Sequence, residues 1–411
     1  MTDIIIPVWN EPKHTKKCLK SVAKNTSDFR FVLIDNWSEK ETTDILKKYE
    51  KLVPGSVLIR NKENLWFVKA INQGLKESKN DIVLLNNDTV VPVWWLDRMK
   101  EHMVAWWYDM IWPLSTAEPQ RQYYKKVNIE SWHMKSKFPM LAFFCVLIKK
   151  EIIKDVWLLD ENIEVGLWDD DDYCFRAVTK GYRLWICDVL VEHNHRTSIS
   201  KIKNIKQIQN KNMRYVRKKH NAPPRVLIAI PNTWNIHVNL VERLMSLDPC
   251  GVEFDIMFSC ARPCSHNRNT IINKFMELDH DYLLQIDSDI VPPRNILEIC
   301  KNDVDIVAAE THAGNLDSVV NLAFMEEDGR YKPIDTKEEK LYEVDAVWSG
   351  CICIKREVFE WMKKPYFFRK RKDWIVEVWH DLRLCTRAKK QWFKVFLDSS
   401  FKCLHFQTTL F

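Results

Sequence analysis

Two acidic clusters each close an apolar run: Asp81-Ile-Val-Leu-Leu-Asn86-Asn87-Asp88 in the first half and Asp281-Tyr-Leu-Leu-Gln-Ile-Asp287-Ser288-Asp289 in the second. A carboxylate at the carboxyl end of a buried strand sits where open α/β sheets bind ligands, and hard cations such as Mg²⁺ or Mn²⁺ take oxygen ligands beside a substrate phosphate. Asp88, Asp287 and Asp289 are therefore candidate metal ligands. Each cluster is followed at a similar distance by a further Asp and then a His. Asp88 to Asp170 is 82 positions and Asp289 to Asp381 is 92, while Asp170 to His193 is 23 and Asp381 to His405 is 24. The strings that open there also match: Asp169-Asp170-Asp171-Asp172-Tyr-Cys174-Phe-Arg176-Ala and His380-Asp381-Leu-Arg-Leu-Cys385-Thr-Arg387-Ala. Four consecutive carboxylates repel one another and cannot all be buried without partners, so one of them is expected to work as a base. His193, with His195 beside it, and His405 follow strands and are candidates for a further metal ligand or a diphosphate contact.

The elements that must hold these residues alternate. Strands are predicted over Asp3 to Val8, Phe31 to Asp35, Ser56 to Arg60 and Asp81 to Leu85, with helices over His14 to Lys24, Glu41 to Lys51 and Phe67 to Ser78. Such a βαβ series implies a mostly parallel, doubly wound α/β sheet. Between Ser198 and His220 there are eight Lys or Arg and no acid, followed by Asn-Ala-Pro-Pro. The expected organisation is a first domain over 1–200, a basic linker over 201–224, and a second α/β domain over 225–411 that opens on a strand from Arg225 to Ile230.

Composition narrows the class. A net charge of +6 is mild for 411 residues, and no nucleic-acid module is recognisable, so nucleic acid is not an expected partner. The longest apolar stretch, around Met140 to Ile148, is short of the roughly 20 residues that span a bilayer. Twelve scattered cysteines without a C-x-x-C pair, and a start at Met-Thr-Asp without a leader, point to a cytoplasmic location. The basic segment and Phe368-Arg-Lys-Arg-Lys372 suit either a phosphate-rich partner, including peripheral contact with the inner membrane surface, or a solvated helix face. The unusual feature is 18 Trp against 8 Gly, where an average chain of this length has about 29 Gly. Many of the indoles stand where a turn favours glycine. UGA codons that are read as glycine at source and as tryptophan here would produce this at Trp37, Trp66, Trp94, Trp112, Trp157, Trp168, Trp185, Trp234, Trp348, Trp379 and Trp392. The alternative is a Trp-rich chain with aromatic sugar platforms.

The strings Ile-Pro7-Val-Trp-Asn10, Val-Leu-Ile-Asp35-Asn-Trp-Ser38, Asn64-Leu-Trp-Phe-Val-Lys-Ala-Ile-Asn72, Leu-Leu-Asn86-Asn87-Asp88 and the four-aspartate run resemble the family 2 glycosyltransferases of the GT-A fold. The second half, with Asp287-Ser288-Asp289, Ser349-Gly350-Cys351, His380-Asp381 and Lys402-Cys403-Leu404-His405, is similar to a more distant GT-A-like relative. The resemblance implies two Rossmann-like domains in tandem, with Pro7, Asn10, Asp35, Ser38, Asn64, Asn72, Asn86 and Asn87 around the nucleotide-diphosphate sugar. It implies that Asp35 accepts hydrogen bonds from the base, that Asp88 ligates Mg²⁺ or Mn²⁺, and that Asp170 is the base of an inverting transfer. The expected acceptor is a glycan or lipid-linked molecule in surface polysaccharide synthesis. Asn86 departs from the family's usual acid, which predicts a more weakly held metal. In the second half the same logic gives Asp287, Asp289 and His405 to a metal, Asp381 to proton removal, and Arg262 and Arg268 to phosphate oxygens. Alternatives remain at these positions: a solvated turn at Asp35, an N-cap at Asp88, an exposed acidic loop at 169–172, and a second half that only binds glycan. A wholly non-catalytic carbohydrate-binding protein is also open. A nucleotidyltransferase is disfavoured because Pro7-Val-Trp-Asn-Glu-Pro12 lacks the Gly-rich phosphate loop.

Overall fold

The computed structural model describes residues 1–117, 141–194, 203–232, 235–313, 323–327, 330–367, 371–372, 375–376 and 380–406. Within it the chain divides into two compact units, Met1–Val216 and Arg217–Phe411.

In the first unit the elements are β1 (Thr2–Val8), α1 (Pro12–Asn25), β2 (Phe29–Asp35), α2 (Lys40–Leu52), β3 (Val57–Arg60), α3 (Trp66–Glu77), β4 (Asp81–Leu85), β5 (Thr89–Val90), α4 (Trp95–Ala105), β6 (Met110–Ser115), β7 (Cys145–Ile148), α5 (Lys150–Val156), α6 (Asp169–Thr179), β8 (Leu184–His193) and α7 (Ile205–Lys219). The expected linker 201–224 thus contains a helix, α7, whose last three residues, from Arg217, already belong to the second unit. Two of its cations are taken up close by, Lys211 by Glu164 and Arg217 by Glu253. The strands β1 to β4 are continuous apolar runs because helices cover both faces of the sheet, which removes any need for a polar alternate face. In α3, Gly74 lets the helix lie directly on β1, since a Cβ there would come within 2.4 Å of Ile5. The edges of β1 and β2 are tied by buried Asp3, which accepts from Arg30 Nε at 2.8 Å, Nη2 at 3.1 Å and the Lys79 amide at 2.6 Å.

The second unit contains β9 (Arg225–Asn232), α8 (Val238–Met245), β10 (Glu253–Cys260), α9 (Cys264–Glu277), β11 (Tyr282–Ile286), β12 (Ile290–Val291), a 3₁₀ segment (Ile296–Asn302), β13 (Ile306–Ala313), β14 (Ala323–Glu327), β15 (Arg330–Pro333), β16 (Leu341–Val344), β17 (Ala346–Val347), β18 (Cys351–Lys355), α10 (Arg356–Trp361), β19 (Arg371–Lys372), β20 (Ile375–Val376), α11 (His380–Lys389) and β21 (Val395–His405). Its main sheet runs β10-β9-β11-β18-β13-β21-β12, and that of the first unit runs β3-β2-β1-β4-β7-β6-β8-β5. Leaving out β3, the two orders correspond strand for strand, and so do the directions. The pairs β1·β2, β1·β4 and β6·β8 are parallel, as are β9·β10, β9·β11 and β13·β21. The pairs β4·β7, β6·β7 and β5·β8 are antiparallel, as are β11·β18, β13·β18 and β12·β21. Even the register shift in β6·β8 recurs in β13·β21. Both units are therefore doubly wound mixed α/β sheets of one topology.

Backbone geometry bears on the tryptophans. Among the described residues 15 non-glycine positions have positive φ, and seven of them are Trp: Trp37 (72°), Trp66 (62°), Trp94 (65°), Trp107 (59°), Trp157 (69°), Trp168 (76°) and Trp392 (68°). Asn and Asp tolerate this region through local hydrogen bonds, whereas an indole gains nothing there and pays the Cβ clash. Trp157 combines φ 69° with ψ −146°, a conformation that essentially only glycine adopts. Trp107 joins the set unexpectedly. Trp112 and Trp185 lie in extended strands instead, Trp112 fully buried and Trp185 stacked on Tyr108 at 4.7 Å, so their backbone does not ask for glycine. Trp348 is also absent from the positive-φ set. Trp234 and Trp379 lie outside the described residues.

Candidate functional site

At the carboxyl ends of β1, β2 and β3 the first unit builds a set of interlocked turns. Pro7 lies in β1 opposite Ile34. Asn10, in the left-handed region, donates its amide to Ser38 Oγ at 2.9 Å and accepts from the Glu39 amide at 2.8 Å. Asp35 is fully buried, and both its oxygens serve the chain itself. The Ser38 amide and Thr43 hydroxyl donate to it at 2.8 Å each, and Arg60 Nε lies 3.4 Å away. Its geometry makes it the anchor of the β2–α2 turn. Asn64 accepts from Asn36 Nδ2 at 2.7 Å and from the Trp66 amide at 2.9 Å, joining the turns after β2 and β3.

The acidic cluster lies one strand further along. The Asn86 amide donates to the Phe144 carbonyl at 2.8 Å, and Asn87 Nδ2 donates to Thr15 Oγ1 at 2.9 Å. Because β5 pairs antiparallel with β8, Thr89 stands opposite His193, which brings His193 Nε2 to 3.3 Å from Asp88 Oδ1. The imidazole stacks on Phe144 with ring centres 4.9 Å apart. The spacing argument therefore joined two residues that the fold does bring together. A carboxylate oxygen and an imidazole nitrogen form a donor set that Mn²⁺ accepts, Mg²⁺ less readily because it favours oxygen. Among the described residues no group of three His, Cys, Asp or Glu side chains converges to hold an ion. Two protein ligands at Asp88 and His193 would leave the remaining positions to diphosphate oxygens and water.

The aspartate run forms the first turn of α6, where the exposed amides and helix dipole favour negative charge. The structure separates its members. Asp172 is buried and bonded to Arg176 Nε at 2.9 Å, whereas Asp169 is buried with one oxygen lacking a hydrogen-bond donor among the described residues. Burial, with Asp170 beside it, pushes the Asp169 carboxyl well above the ordinary carboxylate range. Asp170 is half-buried and is the least covered of the four. The alternative of an exposed acidic loop does not hold, since this is a helix start with three buried members. Two asparagines hold the segment that precedes it. Asn72 donates to the Leu159 carbonyl and accepts its amide, at 3.0 and 2.9 Å, while Asn212 on α7 donates to the carbonyls of Glu164 and Leu167 at 2.7 and 2.9 Å. Asn72, expected beside the cofactor, is a buried strut, and Asn212 had no signal in the sequence. Phe143 and Phe144 link the two parts of the site: Phe143 packs on Tyr173 of α6 and Phe144 on His193.

The second unit repeats several of these contacts. The Asp287 amide donates to the Gly350 carbonyl at 2.8 Å, as Asn86 does to Phe144. The Phe406 amide donates to the Asp289 carbonyl at 2.9 Å, as Asn194 does to Asp88 at 3.0 Å. His405 Nε2 lies 3.2 Å from Asp289 Oδ2. The matched Cys and Arg of the repeated strings prove to be packing residues: Cys174 and Cys385 are fully buried, Arg176 donates to the carbonyls of Val156 and Leu158, and Arg387 to those of Lys363, Pro365 and Tyr366. Arg268 departs from expectation. It is buried, its Nη2 donates to both oxygens of Asp287 at 2.8 and 2.9 Å, and its Nη1 donates to Asp381 at 2.6 Å. Burial raises the Asp287 carboxyl to about 6 despite the guanidinium. Arg262 is exposed at the turn into α9.

Residues 3–157 match the model of Glycosyl transferase family 2. The curated glycosyltransferase AglE of Haloferax volcanii is 23% identical over 192 residues, which cover 44% of this chain and 62% of that protein. The match therefore spans less than two thirds of the relative's length. Among solved structures the chain is similar to the mannosyltransferase PcManGT from Pyrobaculum calidifontis in complex with GDP-Man and Mn²⁺, with 14% identity, coverage of 54% and 64% of the two chains, and a TM-score of 0.44. It is also similar to S. aureus TarS 1–349 in complex with UDP-GlcNAc, with 15% identity, coverage of 53% and 66%, and a TM-score of 0.42. No helix among the described residues is long and apolar enough to cross a membrane.

Proposed function

We propose, from a first unit whose residues 3–157 match the model of Glycosyl transferase family 2, that this chain transfers a sugar from a nucleotide-diphosphate donor to a hydroxyl of a glycan or lipid-linked acceptor, with inversion at the anomeric carbon. The observation that carries the reading is the meeting of Asp88 and His193 at the end of β4, on the sheet whose turns after β1 and β2 join through Asn10 and Ser38. Asp88 and His193 would hold Mg²⁺ or Mn²⁺, which supplies charge neutralisation for the departing diphosphate. Asp170 accepts the proton of the acceptor hydroxyl as the new carbon–oxygen bond forms and the bond to the diphosphate oxygen breaks. Asn72 and Asn212 fix the segment leading to α6, which aims Asp170. Synthesis of a surface polysaccharide is the setting such an acceptor fits best.

The test is diphosphate release from a panel of nucleotide sugars with Mn²⁺ or Mg²⁺. D170N is expected to lower kcat by roughly 10²–10⁴-fold with donor affinity retained, and D88A to lose the ion and the activity together. Donor turnover that is indifferent to both substitutions would sink the reading.

The positive-φ tryptophans support a companion proposal, that the natural protein carries glycine at Trp37, Trp66, Trp94, Trp157, Trp168 and Trp392, and equally at Trp107. Trp37, Trp66 and Trp168 flank the donor turns and the start of α6. Peptide masses of the protein made in its own source decide the matter, and indole-containing peptides at 37, 66 and 157 would refute it.

A further inference from the structure

The two units share strand order, cluster position and the Asp–His pair, yet their charge at the cluster is arranged differently. In the first unit the leading residue is the neutral Asn86. The helix before that strand, α3, has only Lys69 and Lys76 as cations, both exposed. In the second unit the leading residue is Asp287, and the helix before it, α9, sends Arg268 inward to meet Asp287 through both carboxylate oxygens and Asp381 through a third bond. Arg268 is almost fully buried while Asp287 is a quarter exposed, and a charge-assisted contact of this kind is stronger than a neutral one, so removing the carboxylates would leave a buried guanidinium unpaired. An ion bound between Asp287 and Asp289 would have to displace Arg268 from Asp287 or sit beside its fixed positive charge. The donor set of the second unit thus does not fit a divalent cation, although its D-x-D looks the more complete of the two.

We propose that Arg268 is the built-in counter-charge of the second unit, that this unit holds no divalent ion, and that the chain carries a single ion site, at Asp88 and His193. With Asp381 held by the same guanidinium, the role of proton acceptor falls to Asp170 alone. The inference deepens the functional reading above and rests on it for the first site only.

Titration of the full chain with Mn²⁺ alone, following the free-ion electron paramagnetic resonance signal, tests it without reference to activity. The expected result is one ion per chain, lost in D88A and retained in D289A. R268M, which frees Asp287, is expected to raise the stoichiometry to two. If R268M fails to fold, D88A and D289A still decide. Two ions in the unsubstituted chain, or an ion lost in D289A and kept in D88A, would overturn the inference. Two ions with one lost in each variant would leave the first-unit reading intact. An ion that persists in D88A, with donor turnover unaffected, would count against that reading instead.

Discussion

Seven indoles sit in backbone conformations that cost an L-residue about 1–2 kcal/mol each. Trp37, Trp66 and Trp94 are moreover exposed, so little packing offsets that cost. Trp37→Gly and Trp66→Gly are each expected to stabilise the protein, by roughly 2–4 °C in Tm per kcal/mol for a unit of this size. Trp112→Gly should do the reverse, since it empties a fully buried site, at a cost of about 3–5 kcal/mol. Thermal unfolding of the three single variants checks both signs. The contrast separates a glycine demanded by the backbone from a tryptophan that the core uses, a distinction composition alone did not make.

At the level of elements, the sheet of the first unit depends on one charged staple. Burial opposes ionisation of Asp3, but hydrogen bonds from Arg30, Asn80 and the Lys79 amide overcome it and hold the carboxyl at about 2. The folded pKa lies below the ordinary value of 3.8, so the staple's stabilisation is fully present above that pH and is lost as pH falls through about 2. Asp3→Ala leaves Arg30 buried without its main partner and is expected to cost about 3–5 kcal/mol in denaturant unfolding at neutral pH. It should also flatten the acid limb of the stability curve between pH 4 and 2. The loop before α6 shows the same principle in neutral form, because Asn72 and Asn212 each saturate backbone groups of a segment with little regular structure of its own.

For the whole molecule, each unit has its own pair of apolar clusters, one on each face of its sheet. Damage to one core should therefore spare the other. Arg356 in the second unit is buried and donates to the carbonyls of His280, Phe275 and Leu278 at 2.7, 2.8 and 2.8 Å. Arg356→Ala removes those donors, and limited proteolysis is expected to degrade the second unit while a fragment near Met1–Val216 survives and still binds Mn²⁺. Equal loss of both units would mean that they fold as one. The alternation of strands and helices up to Leu85 and the two acidic strand ends were legible in the linear chain, because hydrophobic period and turn chemistry are local and burial follows them directly. The spacing from each cluster to its Asp and His was legible for the same reason, being imposed by one supersecondary plan used twice. What each polar side chain does was decided only by folding. Arg268 meets Asp381 across 113 positions and Asn72 meets Leu159 across 87. A buried polar group takes its role from whichever partner the fold delivers, and no local pattern announces that partner. On sequence alone Asp287-Ser288-Asp289 was the better metal site. The tertiary structure instead sets Arg268 on Asp287, where a guanidinium already answers the charge, and brings His193 beside Asp88.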